Sequence, residues 1–165
     1  MAAFGDRAIA VAARYADRML LDLVSPAQVA RLRAKLDVAA RPAGTTPPRL
    51  VAWLPAAVDP DGAAYTQILG SIAGCLTVRG YAEMFLEAGY GRAVELARAG
   101  ADRTQLIDAL PREAAHAVGL VGDLDAVRGR IRDYTAAGLD KIAVLPAAVS
   151  DEHGRRTLTA LAPGA

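Results

Sequence analysis

Hydrophobic and polar positions along the chain follow two periods, and the switches between them mark out the elements. From Asp6 to Asp17, Ile9, Val11, Ala12 and Ala16 recur among arginines without internal glycine or proline, which predicts a short amphipathic helix. Arg18-Met19-Leu20-Leu21-Asp22-Leu23-Val24 is a brief apolar run and predicts a buried strand. Ser25-Pro26-Ala27-Gln28 then has the form of a capping box with proline at the first helical position. Val29, Leu32 and Leu36 follow at helical spacing, so a helix is expected to about Ala40. Arg41 to Pro48 holds three prolines and a glycine and is expected to be a loop.

Leu50 to Val58 is apolar without alternation, as in a strand covered on both faces of a parallel sheet. From about residue 60 to 118 the pattern is helical, interrupted at Gly80, Gly89, Gly91, Gly100 and Pro111, so a helical excursion is expected there and no strand. Gly122-Asp123 opens a further helix with Leu124, Val127, Ile131 and Tyr134 on one side and Gly138 at its end. Lys141 to Pro146 reads as a third strand, followed by a short helix between Asp151 and Leu161.

Strands alternating with helices predict an α/β fold with a parallel sheet, because parallel strands need long crossovers. A closed (β/α)8 barrel takes about 250 residues. This chain has 165, with three predicted strands and a possible fourth at Met1 to Phe4. The expectation is a single domain over residues 1–165, a partial barrel that reads as if begun in mid-fold.

Composition narrows the function classes. Nineteen basic against eighteen acidic residues leave a net charge of +1, which gives no long-range attraction to nucleic acid or to an anionic membrane. No apolar stretch approaches the ~20 residues of a membrane span, and a cytoplasmic location is expected. The single cysteine, Cys75, lies among Ile72, Ala73 and Leu76 and reads as a small buried hydrophobe rather than a nucleophile. Together with His116 and His153, the only histidines, it has no metal-ligand spacing, so no metal is expected.

Several segments carry a likeness: Ala2-Ala3-Phe4-Gly5-Asp6-Arg7-Ala8, Ala16-Asp17-Arg18-Met19-Leu20-Leu21, Gly80-Tyr81-Ala82-Glu83-Met84-Phe85, Val118-Gly119-Leu120-Val121-Gly122-Asp123 and Ala136-Ala137-Gly138-Leu139-Asp140. In this order and spacing they resemble the C-terminal portion of the bacterial luciferase-like monooxygenase superfamily, closest to its deazaflavin branch. The resemblance implies an oxidoreductase working by hydride transfer or monooxygenation with coenzyme F420, or alternatively FMN, on a small-molecule substrate. It also implies that the strands carrying most of the chemistry are absent, so no catalytic residue is assigned.

In that family a loop after the preceding strand receives the coenzyme phosphate, which places the implied site at Phe4, Gly5, Asp6 and Arg7. The chemistry suits an anion, since glycine permits close backbone approach and helix N–H groups sit at the positive dipole end. Asp6 has a second reading as a helix cap. Barrel active sites gather at the C-terminal strand ends, which directs attention to Asp22 and Trp53, with Tyr81, Met84, Phe85 and Tyr90 of the excursion as further lining. Local capping for Asp22, and core packing for Trp53 and the excursion aromatics, are the competing readings. His116 has no carboxylate or nucleophile arranged with it and reads as a surface or packed histidine. An incomplete barrel exposes parallel edges and an apolar sheet face, so a homo-oligomer or the missing N-terminal half is the expected partner, or else a half-barrel remnant without enzymatic activity.

Overall fold

In the computed structural model the described residues are 5–162, so the Met1 to Phe4 stub lies outside them. Helix α1 (Asp6–Tyr15) leads into strand β1 (Arg18–Asp22), then helix α2 (Pro26–Ala43) and strand β2 (Arg49–Val58). The excursion is a block of short helices: α3 (Gly62–Ala73), α4 (Tyr81–Glu87), α5 (Gly91–Arg98), α6 (Arg103–Asp108) and α7 (Arg112–Val118). Strand β3 (Leu120–Gly122), helix α8 (Leu124–Ala136), strand β4 (Lys141–Pro146), a 3₁₀ turn (Glu152–Gly154) and helix α9 (Arg155–Ala160) complete it.

Local chemistry accounts for most boundaries. Ser25 Oγ accepts the Gln28 N–H while Gln28 Oε1 accepts the Ser25 N–H, the reciprocal box that starts α2. Asp123 accepts the Ala126 N–H at 2.8 Å to start α8, and Gly138, at φ +93, ends it. The predicted loop from Arg41 begins too early: α2 runs through Pro42 and closes at Gly44, which is in the left-handed region at φ +64. Proline so close to a helix end costs only one bond of the ladder, and the glycine supplies the stop.

The four strands among the described residues are all parallel. Strand β2 is central: Trp53 is in register with Asp22 of β1 on one side and Ala143 of β4 on the other. Ala56 pairs with Leu120 and with Pro146, so β3 lies on the same side as β1, beyond its end. Pro55, which has no N–H for a ladder, falls between the last β1 pair and the first β3 pair. Strand β3 was not expected from the sequence, because three residues ahead of a helix cap show no period of their own.

The expectation that β2 is covered on both faces is corrected. Met19, Leu21, Leu50, Ala52 and Leu54 point to one face, where with Ile9, Leu36, Val127 and Tyr134 they form a core beneath the helices. Their neighbours Leu20, Val51, Trp53, Ala143 and Leu145 point to the other face, where Trp53 and Leu145 are each 47% exposed. A second core lies within the helical block, built from Ile68, Ile72, Leu76, Phe85, Val94 and Leu106 against Leu23, Ala57 and Val121. The block therefore sits at the C-terminal end of the sheet, while among the described residues helices cover only one sheet face: this is an incomplete barrel with its inner face open.

Candidate functional site

Two neighbouring cavities lie at the C-terminal rim. The first, of about 600 Å3, lies between the start of α1, the first half of α2, and α4; Gly5, Ala8, Leu32, Lys35, Tyr81 and Met84 are among its walls. The second, of about 370 Å3, opens where the strands end, between Asp22, Leu23, Pro55 and Leu145 on the sheet side and Gln67 and Ser71 of α3 with Cys75 just past its end. Tyr81 lines the first, and its hydroxyl points to Asp22 of the second at a long 3.5 Å.

Helix α4 holds Tyr81 there. Gln28, buried on α2, donates from Nε2 to the Met84 carbonyl at 3.2 Å, and Arg31 meets Glu87 at 2.7 Å. The chain also bends sharply below Tyr81: Leu23, immediately after Asp22, has φ +49, and Asp59, after β2, has φ +50. Both are positions where a side-chain-bearing residue is held in a sparsely populated conformation, as is common beside binding sites.

Burial is the largest influence on the titratable groups of the rim. Burial raises the Asp22 pKa above the ordinary carboxylate value, against the opposing pull of the Leu23 N–H and the Tyr81 hydroxyl. Burial, then the Asp22 charge, pushes the Tyr81 phenol well above its usual range. The same two causes raise the Cys75 thiol, which is half-buried in a cavity wall rather than enclosed in a core.

Asp22, Trp53 and Tyr81 are thus brought together: Asp22 and Trp53 are register partners on the open face, and Tyr81 reaches over from α4. Phe85 is elsewhere. It is 1% exposed, packed beside Tyr90 inside the helical block with ring centroids 6.2 Å apart, and belongs to that core. Met84 lines the first cavity. His116 is exposed and pairs through Nε2 with the Tyr65 hydroxyl at 2.9 Å and through Nδ1 with the Val121 carbonyl at 3.1 Å, a clasp between α3, α7 and β3 with no carboxylate in it.

At the anion loop, Phe4 lies outside the described residues, and Gly5 opens onto the first cavity. No side chain caps α1, and among the described residues a Cβ at Gly5 would meet nothing within 4 Å. Asp6 does not close the mouth. Its carboxylate is held by Lys35 at 2.8 Å. Arg7 is exposed and is not part of the cavity wall.

Sequence reasoning missed Gln67, Ser71 and Cys75. The four-residue spacing of Gln67 and Ser71 puts them on one side of α3, with Cys75 just past its end, but nothing local shows that this side faces the strand ends. Among the described residues no three His, Cys, Asp or Glu side chains are grouped to hold a metal, and no helix is long and apolar enough to cross a membrane.

A family model described as luciferase-like monooxygenase matches residues 1–141. No curated protein matches the chain. Among solved structures, the coenzyme F420-dependent tetrahydromethanopterin reductase from Methanopyrus kandleri superposes with a TM-score of 0.73 at 19% identity, over 94% of this chain and 46% of its own. An F420-dependent secondary alcohol dehydrogenase, solved with an F420–acetone adduct, gives 0.66 at 16% identity, over 98% of this chain and 48% of its own. A monooxygenase from Streptomyces bottropensis gives 0.51 at 21%, over 96% of this chain and 45% of its own. The chain spans about half the length of each. At these identities the likeness concerns the fold, and it agrees with a partial (β/α)8 barrel.

Proposed function

The chain belongs to the luciferase-like monooxygenase family, and from that premise we propose that it is the C-terminal half of a deazaflavin- or flavin-dependent oxidoreductase barrel. Closed by its complementary strands, the barrel transfers hydride to or from a small molecule, or inserts oxygen into it. The observation that carries this reading is the pair of cavities joined at Tyr81 on the C-terminal rim, where barrel enzymes bind their substrates.

The residues present fit an elongated coenzyme with an anionic end. Gly5 and the uncapped first turn of α1, which carries Arg7 exposed outside the cavity wall, would receive the phosphate. The coenzyme, when bound, supplies the redox chemistry, and the protein supplies orientation and exclusion of water. Coenzyme F420 is favoured over FMN because two of the structurally similar proteins are F420-dependent.

Asp22 and Tyr81 form the polar end of the substrate pocket. With the Tyr81 phenol held protonated, the pair offers an O–H donor and a carboxyl acceptor to a substrate oxygen, while Trp53 offers a flat apolar surface beside them. In the closed barrel, Gly5→Asp combined with Arg7→Ala is expected to weaken coenzyme F420 binding at least about tenfold, the loss of roughly one charge-assisted contact. Unchanged binding in a fluorescence titration sinks the phosphate assignment. The open sheet face also supports a second reading, a non-enzymatic half barrel that acts by complementing a partner; a native gene product near 17.1 kDa, the mass of this chain, would favour it.

A further inference from the structure

The two rim cavities differ in charge. In the first, Arg31 and Lys35 line the walls and are each answered by a carboxylate, Glu87 at 2.7 Å and Asp6 at 2.8 Å. The second has one charged group among its described lining residues, Asp22. Leu23, Pro55, Ile68 and Leu145 supply its apolar walls, and Gln67 and Ser71 on the helix side are neutral.

Asp22 lacks a counter-charge. Among the described residues its hydrogen-bond partners are the Leu23 N–H and the Tyr81 hydroxyl, the latter at 3.5 Å, and no lysine, arginine or histidine forms an ion pair with it. A half-buried carboxylate so placed has given up water without gaining a cation, and burial accordingly raises its pKa. Trp53 adds a second feature that suits a positive charge. It is in register with Asp22 on the neighbouring strand and 47% exposed on the same open face, so an indole stands beside the carboxylate.

We propose, resting on the half-barrel reading above, that the second cavity takes a small aliphatic ammonium ion, so that the substrate of this site carries an amine. The ammonium N–H groups donate to Asp22 and its charge offsets the carboxylate. Trp53 receives the cation from the side, and the carbon skeleton lies on Leu23, Ile68 and Leu145. At about 370 Å3 the cavity is near the lower end of the ~300–1,000 Å3 range of ligand pockets, which keeps the amine small. An alcohol of the same shape can donate to Asp22 but leaves its charge unanswered. A carboxylic acid meets like charge with no lining cation to offset it.

The test titrates the full chain with cyclohexylammonium chloride at neutral pH and low salt, with cyclohexanol and cyclohexanecarboxylate as the neutral and anionic counterparts. Saturation-transfer NMR measures each affinity. The ammonium ion is expected to bind at least about tenfold tighter than the alcohol, and the carboxylate more weakly than both. Asp22→Asn should erase the difference between ammonium ion and alcohol. Ser71→Lys, a change at an exposed position of α3, sets a cation in the cavity wall and should weaken ammonium binding at least about tenfold while sparing the alcohol.

An alcohol that binds as tightly as the ammonium ion overturns the proposal, as does the absence of saturable ammonium binding or a preference that survives Asp22→Asn. Where circular dichroism shows the Asn variant unfolded, Ser71→Lys decides, and ammonium binding unchanged in it overturns the proposal. Failure of the half-barrel reading looks different: Trp53 of the ligand-free native chain would already resist quenching by acrylamide.

Discussion

The two faces of the one sheet differ more than any two elements of the molecule. Leu54 and Trp53 are chain neighbours on β2, yet Leu54 is completely buried under helices and Trp53 is 47% exposed on the opposite side. The covered face is apolar at every level, from Met19 and Leu50 to Leu54 and Ala56. The open face runs from cations at the strand starts, through Leu20 and Val51, to Asp22 and Trp53 near the strand ends. The lesson is a division of labour: one face supplies the cohesion that holds the half barrel together, and the other, free of that duty, carries charge and polar groups.

The sharpest way to break the comparison is to truncate both neighbours. Leu54→Ala should cost about 2–5 kcal/mol, as for other large-to-small changes in a packed core. Trp53→Ala should cost less than about 1 kcal/mol in the isolated chain, since exposed substitutions rarely do more. Urea melts of the two variants check it, and equal losses would mean that the inner face is also packed.

A smaller effect probes how the helical block is anchored to the sheet. A Cβ at Gly119 would stand 2.7 Å from the Ala115 carbonyl oxygen and 2.9 Å from that of Pro55, both backbone atoms that cannot swing aside. Gly119→Ala is therefore expected to cost about 1–3 kcal/mol by overpacking, with hydrogen exchange quickening in α7 and β3 before the covered core.

The smallest effect has the opposite sign. Burial raises the Asp22 pKa above 3.8, so the folded protein holds this proton more tightly than the unfolded chain does. The carboxyl favours folding in acid, and that contribution is lost as pH rises from 3.8 through the raised value. Asp22→Asn should flatten this part of the stability profile and gain under about 1 kcal/mol near neutral pH, solvent screening keeping it small. A variant that is less stable than the native chain at neutral pH would mean that the charged form is doing structural work.

Much of the fold was legible from local signals. The capping box at Ser25, the cap at Asp123 and the glycine stop at Gly138 each act within four residues, so the sequence displays them whole. The excursion between β2 and α8 was legible as helical for the same reason. Strand β3 was not, because a three-residue strand is defined by its partner, Ala56 to Val58, and not by any period of its own. The end of α2 was misplaced because Pro42 signals a break more loudly than Gly44, which supplies it.

The candidate site was legible only in part. Asp22 and Trp53 follow from the rule that barrel sites lie at C-terminal strand ends, and both stand on the open face. Tyr81 belongs with them and Phe85, one turn further along the same helix, does not, because it packs beside Tyr90 into the core of the helical block.

What the sequence determined by itself was therefore the α/β class, the helices with their caps and the shortfall of strands, since these depend on periodicity and on contacts a few residues apart. The tertiary structure alone decided which face of the sheet is open, that Tyr81 meets Asp22 across 59 residues of chain, and that Trp53 stands in register beside Asp22. Those relations are set by strand register and by the docking of α4 on α2, and register is a property of paired strands that no single segment encodes.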